Sequence, residues 1–202
     1  MPKHLLFDFG AVLIPIDTKL TYKAFEALGA EEKLAEQDEL FHQFERGELS
    51  TDDFLSQLQG FFFRKSIFKK DLAEAWNALC YEAIPDENIR LLKNLKNKGH
   101  KLYLLSNTNP LHIEKIKALC GPFKYKQFIS QFDAVYYSHE TGHRKPEADF
   151  YKKVLKEQKL KAADCFFIDD REDNIEAATK LKLECWHFDP KKDKIETIKK
   201  RL

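Results

Sequence analysis

Three groups of residues in this sequence have types and spacings that could support chemistry. The first lies in HETGHRKPE, residues 139–147, where two histidines stand four positions apart. On a helix that spacing presents both imidazoles to one zinc ion. However, the strand-like AVYYS precedes the stretch, Gly142 separates the histidines and Pro146 follows them, so we expect His139 and His143 in a loop. The sequence therefore argues against a zinc hydrolase.

The second group consists of aspartates at the ends of two apolar segments. Asp8 follows HLLF, and Asp169 and Asp170 close the segment DCFFIDD. Because both segments are typical of buried parallel strands, their carboxyl ends are expected at one edge of a sheet. Clustered carboxylates repel each other, a bound cation relieves the repulsion, and all-oxygen ligands favour Mg²⁺. The neighbouring Glu172 and Asp173 have a simpler explanation, because acidic residues stabilise the start of a helix.

A third segment, LLSNTNPLH, has features of an anion site. Ser106 offers a hydroxyl, and the turn Asn107–Asn109 leads into a helix that begins with Pro110. Free N–H groups at the start of a helix, with a hydroxyl nearby, can bind phosphate. The same residue types are ordinary turn residues, so this segment alone supports either interpretation.

Alternating strand and helix patterns must position these residues. Strands are predicted for HLLFDFGAVLI near the N-terminus and for residues 101–107, 134–138, 164–170 and 183–188. Helices are predicted between them, at residues 86–98, 110–120, 146–158 and 172–182. This order predicts an α/β fold with a Rossmann-like, mostly parallel sheet and helices on both of its faces.

One connection is too long for a single crossover. Asp8 and Ser106 are 98 positions apart, whereas a β-α-β unit takes roughly 30 residues. The surplus predicts four helices, which run from Asp17 to Gly29, from Glu31 to Arg46, from Ser50 or Thr51 onward, and from Asp71 to Ala83. Their faces are rich in phenylalanine, namely Phe41, Phe44, Phe54, Phe61 and Phe62. We therefore predict an α/β core of residues 1–15 and 85–202 and a small all-helical insert of residues 16–84.

Composition excludes several other classes of protein. Hydrophobic residues make up 43% and charged residues 33%, and the formal net charge is +1, so nucleic acid and membrane are not expected as partners. The four cysteines have no metal-ligand spacing, and the sequence contains no evident signal-peptide core or bilayer-spanning segment. We expect a cytoplasmic protein that is a monomer by default.

Four segments, in this order, resemble the signature motifs of the haloacid dehalogenase-like (HAD) hydrolase superfamily. They are FDFGAVLI, LLSNTNP, RKPEADFY and FFIDDREDNIEAA. The helical insert is similar to the superfamily's cap of the first type. Together with FERGELS in the insert, the motifs more closely resemble those of bacterial α-D-glucose-1-phosphate phosphatases. The resemblance spans the chain and implies a phosphatase with a small phosphate ester as its substrate.

This resemblance implies a nucleophile and a metal site. Asp8 would attack phosphorus and form an aspartyl-phosphate. Mg²⁺ is the implied cofactor, with Asp8, Asp170 and the backbone carbonyl of Gly10 as ligands and Asp169 as an alternative or supporting one. Asn174 stands where many members of the superfamily have another acidic residue near the metal.

The resemblance also implies how the phosphoryl group is held. Ser106 and Asn107 would bind the phosphoryl group during its transfer. Lys145, in GHRKPE, would neutralise charge between the nucleophile and the phosphate, as phosphoryl transfer requires.

One position departs from the superfamily's usual pattern. Gly10 replaces the aspartate that acts as acid and base in most of its phosphatases, a role typically worth roughly 10²–10⁴-fold in rate. The glucose-1-phosphate phosphatases share this glycine. Our hypothesis is that good leaving groups, such as anomeric sugar phosphates, are preferred. Alternatively the insert supplies the missing group through His42, Glu45 or Arg46, which would otherwise be a solvated helix end.

We therefore predict a Mg²⁺-dependent phosphatase acting on a small phosphomonoester, such as the sugar phosphate glucose 1-phosphate. One alternative is a 2-haloacid dehalogenase, in which Asp8 attacks carbon without a metal, although clustered carboxylates argue against it. The other is a non-catalytic phosphate-binding or interaction module, for which Gly10 is the only supporting feature.

Overall fold

The protein contains one five-stranded parallel sheet. The computed structural model describes residues 3–63 and 67–202. The strands lie in the spatial order β3-β2-β1-β4-β5, and their bounds are β1 His4–Phe7, β2 Lys101–Ser106, β3 Ala134–Tyr137, β4 Cys165–Asp169 and β5 Glu184–His187. All five predicted strands are present, and each is equal to or shorter than its predicted segment.

Nine α-helices accompany the sheet within the described residues. Four lie between β1 and β2 in the insert region: α1 Thr18–Ala27, α2 Asp38–Glu45, α3 Thr51–Gln59 and α4 Lys69–Trp76. The others are α5 Asp86–Asn97, α6 Pro110–Ile129, α7 Ser138–Thr141, α8 Ala148–Glu157 and α9 Glu172–Lys180. The predicted fold class, an α/β sheet with helices, is confirmed. In the part of the chain that the structure describes, no helix is long and apolar enough to cross a membrane.

Strand register brings the predicted aspartates together. β1 pairs with β4 so that Phe7 lies opposite Ile168, and the Asp8 N–H donates to the Ile168 carbonyl at 2.9 Å. Asp8 and Asp169 are the next residues on these two strands. β1 also pairs with β2, whose last residue is Ser106. The carboxyl ends of β1, β2 and β4 therefore lie together at the point where the strand order reverses. Open α/β sheets bind ligands at this point.

The core has two layers because consecutive strand residues face opposite sides of the sheet. One layer contains Leu5 and Phe7 of β1 with residues of α5 and α6. The other contains Leu6 of β1 with Phe150 and Tyr151 of α8. All five residues are completely buried. The near-continuous apolar strands are explained by this burial on both faces.

The insert has its own apolar cluster, built largely from aromatic rings. The rings of Phe44 and Phe54 stack with centroids 4.1 Å apart, and Trp76 lies 5.0 Å from Phe54. Phe41 and Phe62 are buried in the same cluster, whereas the predicted core residue Phe61 is only partly buried. The bounds 16–84 for the insert, of which residues 64–66 lie outside the described residues, stay a prediction.

Two insert helices differ from their predicted bounds. The predicted helix from Glu31 to Arg46 is broken at Gln37 (φ −94°, ψ 40°) into a 3-10 turn and α2. Asp38 and Glu39 favour a new helix start there, because they complement the helix dipole. The predicted end of α4 at Ala83 is also wrong, since the α-helix stops at Trp76. Thr21 explains that stop, because its hydroxyl donates to the Trp76 carbonyl and accepts from the N–H of Leu79.

Helix α6 continues beyond its predicted end. Gly121 has non-helical backbone angles (φ 73°, ψ 157°), and Pro122 follows it, so the chain kinks where the sequence predicts a stop. The helix then resumes through Ile129. Proline is tolerated at this point because it lies in the first turn of the resumed segment.

A buried histidine connects α4 of the insert to α6. The ring of His112 stacks on that of Trp76 at 5.0 Å, and its Nε2 lies 3.2 Å from the Trp76 carbonyl. Asn109 accepts the His112 backbone N–H with its Oδ1 and contacts His112 Nδ1 with its Nδ2 at 2.9 Å. The Asn109 amide therefore donates to Nδ1, and Nε2 carries the proton. Burial lowers the pKa of His112 to about 4, and a second ring proton would face the Asn109 donor.

We expect His112 to make the protein less stable in acid. Its pKa in the folded state is depressed, so the stabilising neutral form is present above its ordinary pKa of 6.5 and is lost as pH falls toward 4. The free energy of unfolding should therefore fall by up to about 3 kcal/mol over this pH range. Urea unfolding of the wild type and of His112→Gln between pH 7 and pH 4 measures the effect. The variant should have a shallower dependence on pH, and equal slopes would contradict this assignment.

Candidate active site

A buried lysine joins the predicted nucleophile to the second aspartate strand. The Lys145 Nζ lies 2.5 Å from Asp8 Oδ1 and 2.7 Å from Asp169 Oδ2. Lys145 is 1% exposed, Asp169 is 0% exposed and Asp8 is 8% exposed. A buried ammonium is tolerated only when it is paired with charge, and here it has two carboxylate partners. The structure thus brings together three of the predicted site residues.

The third carboxylate leaves this cluster with excess negative charge. Oxygen atoms of Asp8, Asp169 and Asp170 lie within 4.8 Å of one another. Lys145 offsets only one of the three negative charges. Burial raises the pKa of Asp8 to about 7, opposed by Lys145 and reinforced by Asp169 and Asp170. Burial and Asp169 likewise raise the pKa of Asp170. Two uncompensated charges are what a divalent cation would neutralise.

The three carboxylates differ in how their oxygens are used. Asp169 accepts from Lys145, from the backbone N–H of Arg171 and from the Asn174 side chain. Asp8 and Asp170, in contrast, line a cavity of about 320 Å³. Asp169 is therefore suited to orient Lys145, and Asp8 and Asp170 are suited to contact a ligand in the cavity.

The donor set fits Mg²⁺. Its members are carboxylate oxygens, which Mg²⁺ prefers, and the predicted Gly10 carbonyl borders the same cavity. Asn174 adds an independent observation, because its Oδ1 is buried without a hydrogen-bond partner while its Nδ2 donates to Asp169 at 2.9 Å. An orphaned buried acceptor needs a donor, such as a water bound to a cation. Asp8, Asp170 and Gly10 are the residues that would hold the ion.

The side chain of Asn107 positions Lys145 by binding the backbone of that lysine. The Asn107 Oδ1 accepts from the Lys145 N–H, and its Nδ2 donates to the Lys145 carbonyl, both at 2.8 Å. This reciprocal pair occupies both ends of the side-chain amide. A contact from Asn107 to a phosphoryl group, which stays a prediction, would come from its backbone N–H or from the second N–H of its side-chain amide.

Ser106 lies beside the active-site cavity in a narrower space. A small cavity of about 40 Å³ is lined by Ser106, Asn107, Gly10 and Ile16 among others. The side chain of Ile16 packs beside Gly10, and a Cβ built on Gly10 would lie 2.7 Å from the Cδ1 of Ile16. Ile16 therefore occupies space that any side chain at position 10 would need.

The two histidines of HETGHRKPE do not share a helix. His139 lies in the one-turn helix α7, not in a loop, but that helix ends at Gly142 (φ 73°) before His143. The His139 Nδ1 contacts the Thr108 carbonyl at 3.1 Å, and Ser138 bonds to both the N–H and the carbonyl of Thr108. This segment therefore fixes the Ser106–Asn109 loop against the strand ends.

Comparison with known proteins now decides the family. The family model described as haloacid dehalogenase-like hydrolase matches residues 2–181. The chain belongs to this family. The sequence-based prediction of a HAD hydrolase is thereby confirmed, whereas the specific likeness to glucose-1-phosphate phosphatases has only loose support.

Three similar proteins illustrate the family. The D-ribitol-5-phosphate phosphatase of Bacteroides thetaiotaomicron is 29% identical over 192 residues, covering 91% of this chain and 90% of that protein. A sesquiterpene phosphatase of Aspergillus oryzae is 28% identical, covering 87% and 84% respectively. A HAD family enzyme of B. thetaiotaomicron, solved in complex with magnesium and inorganic phosphate, has a TM-score of 0.81 at 28% identity, covering 96% and 97%.

Sequence reasoning missed two arginines of this HAD hydrolase. Arg144 and Arg171 both line the active-site cavity. Each is adjacent in sequence to a predicted site residue, Lys145 or Asp170, and this adjacency was the available signal. Arg171 binds Asp173 through two hydrogen bonds of 3.0 and 2.7 Å, so Asp173 does more than complement a helix dipole.

The insert of this hydrolase contacts the core along a seam formed by FERG. Glu45 accepts from Arg144 Nε at 2.9 Å, and Arg46 lies 3.3 Å from Glu147. Gly47 lies against the backbone of His139, where a Cβ would be 2.2 Å from the carbonyl oxygen. Of the three insert candidates, Glu45 lines the active-site cavity, while Arg46 is used in ion pairs at the seam.

Substituting Gly47 tests the seam. Gly47 and Gly29 both have positive φ, but none of the described residues lies within 4 Å of a Cβ at Gly29. Gly29→Ala should therefore lower the free energy of unfolding by about 1–2 kcal/mol, the cost of a left-handed backbone at alanine. Gly47→Ala should lower the free energy of unfolding by about 1–3 kcal/mol more, since its methyl group would collide with the backbone of His139. Urea unfolding of both variants measures this, and equal losses would contradict a tight seam.

Proposed function

We propose that this HAD hydrolase is a Mg²⁺-dependent phosphatase that cleaves a small sugar or polyol phosphate through a phosphorylated Asp8. The observation that carries the proposal is the pairing of Asp8 with the buried Lys145 at the mouth of a cavity lined by Asp170. The ribitol phosphate phosphatase and the magnesium- and phosphate-bound relative support it.

The geometry supports a two-step reaction. A carboxylate oxygen of Asp8 attacks phosphorus, the bond from phosphorus to the ester oxygen breaks, and the alcohol departs with a proton taken from solvent or an acid. Water then attacks phosphorus, the bond to Asp8 breaks, and inorganic phosphate leaves. Covalent catalysis of this kind divides one slow hydrolysis into two faster steps. When bound, Mg²⁺ would supply charge neutralisation for the phosphoryl oxygens.

Lys145 has two tasks in this scheme. Its ammonium holds Asp8 at 2.5 Å and keeps that carboxylate in one orientation. The same positive charge stabilises negative charge on the transferred group, as phosphoryl transfer demands. Asp169 binds the Nζ of Lys145, and Asn107 binds its backbone N–H. The positive charge of Lys145 is therefore in position before the substrate arrives.

Glu45 is the candidate base for the water that attacks in the second step, because its carboxylate is ion-paired with Arg144. It is the one carboxylate from the insert that borders the active-site cavity within the described residues, and Arg144 holds it there at 2.9 Å. Gly10 provides no side chain for this task. The likeness to a ribitol 5-phosphate phosphatase favours ordinary alkyl phosphates as substrates, which weighs against a strict requirement for good leaving groups. Glucose 1-phosphate stays a prediction.

The two alternative functions are less well supported. A metal-free dehalogenase has no use for three clustered carboxylates with a single ammonium. A non-catalytic module has no need of a nucleophile held at the mouth of a cavity. Both alternatives give different outcomes in the experiment that follows.

Asp8→Asn should lower phosphate release by roughly 10³-fold or more, because the nucleophile is lost. Release from D-ribitol 5-phosphate and glucose 1-phosphate is measured with Mg²⁺ and with EDTA, and EDTA should abolish it. Asp149→Asn, an exposed aspartate that pairs with Lys152, is the matched control and should keep full activity. Equal activity of wild type and Asp8→Asn would reject the proposal, and chloride release from a 2-haloacid in EDTA would favour the dehalogenase.

The contact between Gly10 and Ile16 gives a second prediction. Gly10→Asp alone requires the Ile16 side chain to shift, because the new Cβ would lie 2.7 Å from the Cδ1 of Ile16. Ile16→Val removes that atom, so Gly10→Asp/Ile16→Val should accept the aspartate and gain an acid. We expect kcat for ribitol 5-phosphate to exceed that of Ile16→Val by about 10²-fold. A double variant no faster than Gly10→Asp would show that space is not the obstacle.

A further inference from the structure

Of the three clustered carboxylates, Asp170 is the one least constrained by contacts of its own side chain. Lys145 binds Asp8, and three donors bind Asp169. Within the part of the chain that the structure describes, no hydrogen bond or ion pair joins the Asp170 carboxylate to the side chain of another residue. The direction of this carboxylate therefore depends on how the backbone of Asp170 is held.

The backbone of Asp170 lies just beyond the paired part of the sheet. β4 ends at Asp169, which lies opposite His187 of the edge strand β5, and the Phe188 N–H donates to the Asp169 carbonyl at 2.9 Å. Asp170 follows in a bend of the chain. The backbone pairing of β4 with β5 therefore stops one residue before the carboxylate that borders the active-site cavity.

The side chain of His187 supplies the next contact between these two strands. Its Nε2 lies 3.0 Å from the Asp170 carbonyl oxygen. Because a carbonyl oxygen only accepts, Nε2 carries the proton in this contact. Among the described residues, this is the one hydrogen bond of the His187 side chain. The imidazole is exposed, so replacing it would leave no cavity in the core.

We propose that His187 is a positioning residue for the ion site, because its contact fixes the backbone from which Asp170 reaches into the active-site cavity. The inference rests on the Mg²⁺ site of the proposed phosphatase. Groups that hold a metal-binding residue in place typically change metal affinity by roughly 10–100-fold. One exposed hydrogen bond to a backbone carbonyl should contribute less, about three- to tenfold.

The test measures Mg²⁺ binding directly. Isothermal titration calorimetry of metal-free protein with Mg²⁺ gives the Kd for the wild type and for each variant. His187→Leu removes the donor, so we expect its Kd to rise about three- to tenfold. His187→Gln offers an amide N–H in place of Nε2 and should stay within about twofold of wild type. Glu184, an exposed residue of β5 that pairs with Lys3, provides the control, and Glu184→Gln should leave the Kd unchanged.

Kinetics separate positioning of the ion site from a general structural loss. At saturating Mg²⁺, the kcat of His187→Leu for ribitol 5-phosphate should remain within about twofold of wild type. The reason is that His187 contacts the backbone of Asp170, and neither Asp8 nor Lys145. The Mg²⁺ concentration that gives half-maximal activity should rise in parallel with the Kd.

Three results would overturn the inference while leaving the phosphatase intact. They are an unchanged Kd in His187→Leu, an equal rise of the Kd in His187→Gln, and a loss of kcat that saturating Mg²⁺ does not restore. Wild-type protein that binds Mg²⁺ but releases no phosphate from any ester would instead reject the proposed function, and a raised Kd in His187→Leu would still support the role of His187. Wild-type protein that binds no Mg²⁺ would overturn both.

Discussion

The buried Lys145 ammonium, held between Asp8 and Asp169, is the interaction on which the rest of the site depends. Removing Lys145 would leave both buried carboxylates without a compensating charge, and breaking a buried ion pair in this way typically costs about 3–5 kcal/mol. The fold meets this constraint with long-range contacts. Lys145 is separated by 137 positions from Asp8 and by 38 from Asn107, which holds its backbone. Parallel strand register fixes Asp8 beside Asp169, and the turn between α7 and α8 brings the Lys145 ammonium to both of them.

This arrangement favours function over stability. Three carboxylates and one ammonium leave the strand ends with excess negative charge, and burial raises the pKa of Asp8 to about 7. A chain selected only for stability would replace Asp170 with a neutral residue. The same imbalance would attract a divalent cation, as we propose for Mg²⁺. Natural proteins commonly accept such local conflict where they bind and react.

Residues at strand ends were the most predictable part of the site. Asp8, Asp169 and Asp170 follow apolar segments, and parallel strands must end together, so their convergence needs only the sequence pattern. The insert was harder. Its second helix has a continuous helical pattern, yet it breaks at Gln37, because Asp38 and Glu39 start a new helix. The periodicity of apolar residues does not reveal such a break when the residues on both sides of it still favour a helix.

Contacts between distant segments were beyond sequence reasoning. Glu45 and Arg144 are 99 positions apart, and nothing local in either segment identifies the other as its partner. The same holds for Ile16, whose Cδ1 occupies the space above Gly10. The sequence shows that an acid is missing at position 10, but only the packing shows that Ile16 would have to shift to admit a side chain there.

The stretch HETGHRKPE acquires its meaning from these contacts. Arg144 and Lys145 are consecutive residues, and Arg144 binds the insert through Glu45 while Lys145 binds Asp8. Ser138 and His139, a few residues earlier, fix the Ser106–Asn109 loop through Thr108. One short segment therefore connects the insert, the phosphate-side loop and Asp8. Because neighbouring residues of a chain cannot shift independently, the position of the insert and the position of the catalytic charge are mechanically linked.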